Sequence, residues 1–192
     1  MSKVAAERRA LLVALWLNLA VAASLGVAGI LADSSGLIAN ALDNASDAAV
    51  YAISYYAVVR GTVWKTRAAY VSGAMLLLLS AGVLVDVARR FISGAEPISS
   101  IMITMTAVAA TMNIICLGLL RRLRRGDVNL RAAWTFSIND LFANLGVLVA
   151  GILVAALHYS WPDWVVGFAI AVIAAKGGVE ILLDAQRTRR GS

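Results

Sequence analysis

The stretch LIANALDNASDAAVYAIS, residues 37–54, places two aspartates inside a segment that is otherwise apolar enough to lie within a membrane. Asp43 and Asp47 are four residues apart, so in a helix they project from the same face. An ionised carboxylate in hydrocarbon is costly, and intramembrane acids therefore face a partner, a cation or a water-filled cavity. Two carboxylates so close together repel each other unless a cation or protons neutralise them. The pair predicts a cation site.

The composition excludes a soluble domain. Hydrophobic residues make up 61% of the 192 residues, charged residues make up 15%, and the mean hydropathy is +0.82. Six apolar stretches each have about the 20 residues that a helix needs to cross a bilayer core. They cover approximately 10–32, 38–59, 68–89, 98–120, 131–157 and 162–184. We therefore predict an all-α fold in which residues 1–192 form a single integral membrane bundle of six transmembrane helices. Because the chain ends eight residues after residue 184, we expect no C-terminal cytoplasmic domain.

Basic residues predict the orientation of the bundle. An even number of spans puts both termini on the same side, and fourteen of the 17 lysines and arginines fall at helix ends on that side. Only Arg89 and Arg90 fall at the opposite end, while Lys176 lies within a span. The positive-inside rule then predicts cytoplasmic termini. The net charge of +6 is assigned to topology and to anionic lipid headgroups of the bilayer, and we expect no nucleic-acid partner. The compact chain, without a targeting segment, favours a bacterial inner membrane.

The fifth apolar stretch repeats the spacing of the second. In WTFSINDLFANLGVLVAG, residues 134–151, Asp140 and Asn144 are again four residues apart. At about 1.5 Å per residue from the cytoplasmic ends, Asp47 and Asn144 lie about 18–20 Å deep and Asp140 lies one turn shallower. Oxygens of Asp43, Asp47 and Asp140 would bind a divalent metal ion, with Asn144 or a water as the fourth ligand.

Three other interpretations stay open at this point. The acids could serve only structural pairing, but Lys176 is the basic residue at matching depth, and Glu180 one turn away accounts for it. A membrane enzyme is less favoured, because the sequence contains neither an Asp-Gly-x-x-Ala-Arg nor a Gly-x-Gly-Asp segment. We therefore expect no catalytic residue and no cofactor. His158, near Asp163, leaves a peripheral metal role open as the third interpretation.

The residues as a group resemble the cation diffusion facilitator family. LIANALDNASDA is similar to that family's LIADALHNLSDA-type segment, and DVARRFISGAEPIS, residues 86–99, resembles its acid, Arg-Arg, Glu-Pro pattern. Asn113 falls where a fourth-helix asparagine is common. In the fifth span, Asp140 matches the aspartate of the family's His-x-x-x-Asp motif, while Phe136 stands where the histidine usually is.

The resemblance implies a homodimeric six-span exporter that exchanges a divalent transition metal, zinc first, for protons by alternating access. Phe136 cannot bind a metal, so the site would use three carboxylates with Asn144 or water. An all-oxygen site also tolerates manganese, cobalt or cadmium. Without the C-terminal domain that many members have, the dimer would be held by membrane helices. The alternative that the resemblance leaves open is a degenerate homologue that binds metal without transporting it.

Overall fold

Six helices account for nearly all of the chain that the computed structural model describes, which is residues 3–57, 62–120 and 128–190. They are α1 (Lys3–Leu31), α2 (Ser35–Ala57), α3 (Thr62–Ser93), α4 (Ser99–Leu120), α5 (Val128–Leu157) and α6 (Trp161–Arg190). The predicted all-α membrane bundle is confirmed.

Five of the helices in these ranges, all except α2, are long and apolar enough to cross a membrane, which makes this a multi-pass membrane protein. The second helix has more polar residues, because it carries two asparagines and two aspartates within the segment Asn40 to Asp47. It tolerates them because it packs against α1, α3, α5 and α6, so protein rather than lipid surrounds it. Asn40 and Asn44 are fully buried there. The helix that is not apolar enough to cross a membrane by its own sequence is therefore enclosed by four other helices.

Most helices extend beyond the apolar stretches that predicted them. The first begins at Lys3 rather than residue 10, the third begins at Thr62 rather than residue 68, and the sixth continues to Arg190 rather than residue 184. Hydropathy marks the part of a helix that lies in hydrocarbon, whereas the backbone hydrogen bonds continue into the aqueous region. The basic run at 121–125 lies outside the described residues.

Glycines bring the helices together as close pairs. A Cβ on Gly29 of α1 would lie 2.9 Å from the backbone nitrogen of Ile38 on α2. A Cβ on Gly73 of α3 would lie 3.0 Å from the carbonyl oxygen of Gly178 on α6. Gly151 of α5 similarly packs against α4. Small residues permit such close backbone approach in membrane bundles. The bundle thus contains the pairs α1–α2, α3–α6 and α4–α5.

Candidate metal centre

A cavity of about 150 Å³ lies between α2, α3, α5 and α6. Asp43 and Asp47 of α2 and Asp140 of α5 all line it, and Ser46 and Ser72 add hydroxyl groups. Apolar side chains of α3 and α6 supply much of the remaining wall. The structure therefore brings together, from two separate helices, the three carboxylates that the sequence predicts as metal ligands.

Two of these carboxylates are buried without full hydrogen bonding. Asp47 is 8% exposed and Asp140 is 1% exposed, and the Oδ2 atom of each has no hydrogen-bond partner among the described residues. The carboxylates of Asp140 and Asp43 also lie close enough to Asp47 for their like charges to act on it. A buried acceptor without a partner costs roughly 1–3 kcal/mol, and more when it is charged. A divalent cation would compensate both the missing partners and the like charges.

All three carboxylates line the cavity, but their side chains do not converge on one position for an ion. Within the described ranges, no group of three or more His, Cys, Asp or Glu side chains is close enough to hold a metal ion. The cavity has room for several waters. Coordination of an ion by all three aspartates therefore requires α2 and α5 to bring them inward, or waters to complete the shell.

Asn144, the fourth predicted ligand, connects the two helices that carry the aspartates. Its Oδ1 accepts a hydrogen bond of 2.8 Å from Asn40 Nδ2, and its Nδ2 donates to the backbone oxygen of Asp140 at 2.9 Å. It is fully buried and is not part of the cavity wall. Its carbonyl oxygen has a second lone pair, but it could bind an ion in the cavity only after the side chain moved towards the cavity. The sequence shows the asparagine spacing on both helices but not this contact between them.

Some predicted features lie outside the described side chains. These are Phe136 at the histidine position and Ser137 and Asn139 beside it, so the all-oxygen character of the site stays a prediction. Lys176, in contrast, lies 3.9 Å from Glu180 on the exposed surface of α6, as the sequence predicted. It does not line the carboxylate cavity.

Lys176→Met is therefore expected to leave metal flux close to that of the parent, because the lysine pairs with Glu180 and does not line the carboxylate cavity. Initial rates in proteoliposomes, normalised to the amount of reconstituted protein, measure this. A loss of more than tenfold would mean that the lysine is the counter-ion of the deep aspartates.

A second polar cluster lies at the end of the bundle opposite the termini, and the sequence did not predict it. Asp163, in the first turn of α6, is fully buried. Its oxygens accept hydrogen bonds from the backbone nitrogens of Ser35 and Gly36 at 2.7 and 3.0 Å and from Ser34 Oγ at 2.5 Å. Asp163 therefore caps the start of α2 from another helix. The carboxylate of Asp163 is engaged in these hydrogen bonds, whereas His158 is exposed.

Arg90 of α3 completes this cluster. It is 3% exposed, its Nε donates to Asp86 Oδ2 at 2.6 Å, and its Nη1 pairs with Asp33. The spacing of Asp86 and Arg90, four residues apart on one helix, is visible in the sequence. The partner on the α1–α2 connection is visible only in the fold.

Comparison with known proteins gives two findings. Residues 11–188 match the model of the cation efflux transmembrane domain. The chain is 25% identical over 125 residues to the cadmium, cobalt and zinc/H(+)-K(+) antiporter of Bacillus velezensis, which is 63% of this chain and 39% of that protein.

Zinc transporters named ZitB show similar identity. For that of Yersinia pseudotuberculosis it is 24% over 120 residues, which is 62% of this chain and 38% of the relative. For that of Pectobacterium atrosepticum it is 23% over 172 residues, or 82% and 53%. The chain thus spans between two fifths and about half of the length of these relatives. Since the family model covers almost the whole chain, this protein belongs to the cation efflux family.

Proposed function

We propose that this protein exports divalent transition-metal ions across a bacterial inner membrane in exchange for protons, with zinc as the first candidate substrate. The observation that carries the proposal is the cavity that three carboxylates from α2 and α5 line. Asp47 and Asp140 are buried there, and the Oδ2 atom of each has no hydrogen-bond partner among the described residues. Membership of the cation efflux family and the names of the bacterial relatives support the same activity.

Asp43, Asp47 and Asp140 are the proposed ligands of the transported ion. Carboxylate oxygens bind divalent ions when deprotonated, so the ion and protons compete for the same atoms. Waters in the cavity, or Asn144 after its side chain moves towards the cavity, complete the shell. Because Phe136 replaces the usual histidine, the site selects less strongly for zinc, and cadmium, cobalt and manganese are the alternative substrates.

The transport cycle that fits these groups is alternating access around a site within the membrane. The ion enters from the cytoplasm and binds the deprotonated aspartates. When the site faces the other side, protons replace the ion on the carboxylates, and the proton gradient thereby drives export. We further propose that two copies associate through their membrane helices, which rests on the resemblance to dimeric exporters.

Metal flux into proteoliposomes under an imposed pH gradient tests the proposal. Zinc, cadmium, cobalt and manganese are screened separately with the parent and with Asp140→Asn, and an ionophore that dissipates the gradient is the control. We expect gradient-dependent flux of at least one ion, reduced by about 100-fold in the variant, because losing a charged ligand should cost at least as much as losing an outer-shell partner of a ligand. Absence of flux for all four ions from folded protein would favour a non-transporting homologue instead.

A further inference from the structure

The connection between α1 and α2 is buried except at Asp33, which is unusual for a segment between helices. Ser34 and Ser35 are both fully buried, and their backbone and hydroxyl donors reach Asp163 of α6 rather than water. Backbones also meet here, since a Cβ on Gly167 of α6 would lie 2.9 Å from the carbonyl carbon of Ser35. The end of α2 opposite the cytoplasmic termini is therefore held against α6 both by a carboxylate and by close packing.

Helix α3 holds the same connection from a second direction. Arg90 pairs with Asp33 at the end of α1, and Ser35 Oγ donates to Asp86 Oδ2 at 3.3 Å. An arginine buried at this depth is costly unless it is paired, and here carboxylates from two elements pair with it. Since α3 and α6 pack closely on each other through Gly73, the two contacts act on α2 as one support.

The metal cavity lies between the same helices. Asp43 is eight residues along α2 from Ser35, or about 12 Å. Val50 and Ile181 line the side of the cavity that is farther from Ser35, towards the end of the bundle that carries the termini. Any movement of α2 away from α3 and α6 that opens a path from the carboxylates to the outer face must therefore break the contacts at Asp163 and Arg90.

We propose that Asp163 and Arg90 are positioning residues that form an outer lock. The outer lock consists of their contacts with Asp33, Ser34 and Ser35. These contacts keep the outer end of α2 against α3 and α6 while the carboxylate cavity faces the cytoplasm. When they break, α2 can move and the ion can leave. The inference rests on the proposed function for the direction of transport. Its structural content, the closure of one face, is measured without transport.

Accessibility of engineered cysteines to a membrane-impermeant maleimide tests the lock. The chain's single cysteine is removed as Cys116→Ala, and Leu37→Cys, at a fully buried position near the lock, reports on the outer face. Val50→Cys, in the cavity wall, reports on the cytoplasmic face in inverted vesicles. Asp163→Asn keeps the shape of the side chain but replaces one acceptor oxygen by a donor and removes the charge.

Asp163→Asn is expected to raise the labelling rate at position 37 about tenfold, which corresponds to about 1.4 kcal/mol, and to lower the rate at position 50. Arg90→Met should change both rates in the same directions. Glu96→Gln alters an exposed carboxylate at the same face and should change neither. Opposite changes at the two positions cannot come from unfolding, which would raise both rates.

Unchanged labelling at position 37 in both lock variants, or a rise at both reporter positions, would overturn the lock. The outcome is separable from that of the transport experiment. If the parent shows no flux but the two reporters respond in opposite directions, the proposed function fails and the lock stands. If Asp140→Asn abolishes flux and the reporters do not respond, the lock alone fails.

Discussion

Asp47→Asn is expected to abolish the stabilisation of the protein by metal without lowering the stability of the metal-free form. In the metal-free protein, Asp47 is a buried carboxylate beside two like charges, and its Oδ2 has no hydrogen-bond partner in the part of the chain that the structure describes. Removing a buried charge that lacks compensation is often neutral or stabilising, because its desolvation cost disappears. With zinc at 100 times its dissociation constant, the parent should gain about 2.7 kcal/mol, and the variant should gain almost nothing.

Thermal unfolding in detergent, with and without zinc, measures both effects. Glu180→Gln is the matched control, since it removes a carboxylate that is exposed on α6 and absent from the cavity wall, and it should keep the full metal-induced shift. If Asp47→Asn retained the parent's shift, the aspartate would not be a ligand. If the variant instead lost roughly 2 kcal/mol or more without metal, the carboxylate would have a structural partner.

Gly29→Ala is expected to destabilise the bundle by about 1–3 kcal/mol, the range for forcing extra volume into a packed interior. The new Cβ would lie 2.9 Å from the backbone nitrogen of Ile38 and 3.2 Å from the Cβ of Leu37. Backbone atoms cannot rotate away, so α1 and α2 must separate. Because α2 carries two of the three carboxylates, metal flux should fall as well.

Gly82→Ala is the control for this substitution, because a Cβ at that position of α3 would have no atom of another helix within 4 Å in the part of the chain that the structure describes. It should leave stability unchanged or slightly raised, since alanine is the better helix former. Denaturation in mixed micelles at several denaturant concentrations compares the two variants. Equal stability of both would show that the α1–α2 approach is looser than the structure has it.

Apolar stretches were sufficient to predict the membrane class and the positions of six helices, because transfer of a helix into hydrocarbon depends on its own composition. Among the described residues, α2 is the one helix whose own composition falls short of a membrane span. The helix ends were predicted less well. Lys3 and Thr62 begin helices seven and six residues before the apolar stretches, since helical hydrogen bonding does not stop at the membrane surface. Hydropathy also did not predict that α2 lies inside the bundle. The aspartates that lower the hydropathy of α2 are the reason that other helices must shield it from lipid.

The sequence by itself determined the nature of the candidate site. The spacing of Asp43 and Asp47 on one helix follows from helical geometry, and so does the depth of Asp140 on another helix, about one turn shallower than Asp47. All three carboxylates line the cavity. Whether a polar side chain already has a hydrogen-bond partner depends on the neighbouring helices. Asn144 pairs with Asn40, although its position in the sequence equally allowed it to face the cavity.

Only the tertiary structure decided the outer cluster. Asp163 lies 128 residues from Ser35 along the chain, and no local periodicity relates a carboxylate on α6 to the first backbone donors of α2. Arg90 likewise finds Asp33 only because α1 and α3 end near each other. Hydrophobicity and helical period act within one segment, whereas a cap or an ion pair between helices depends on how the segments pack.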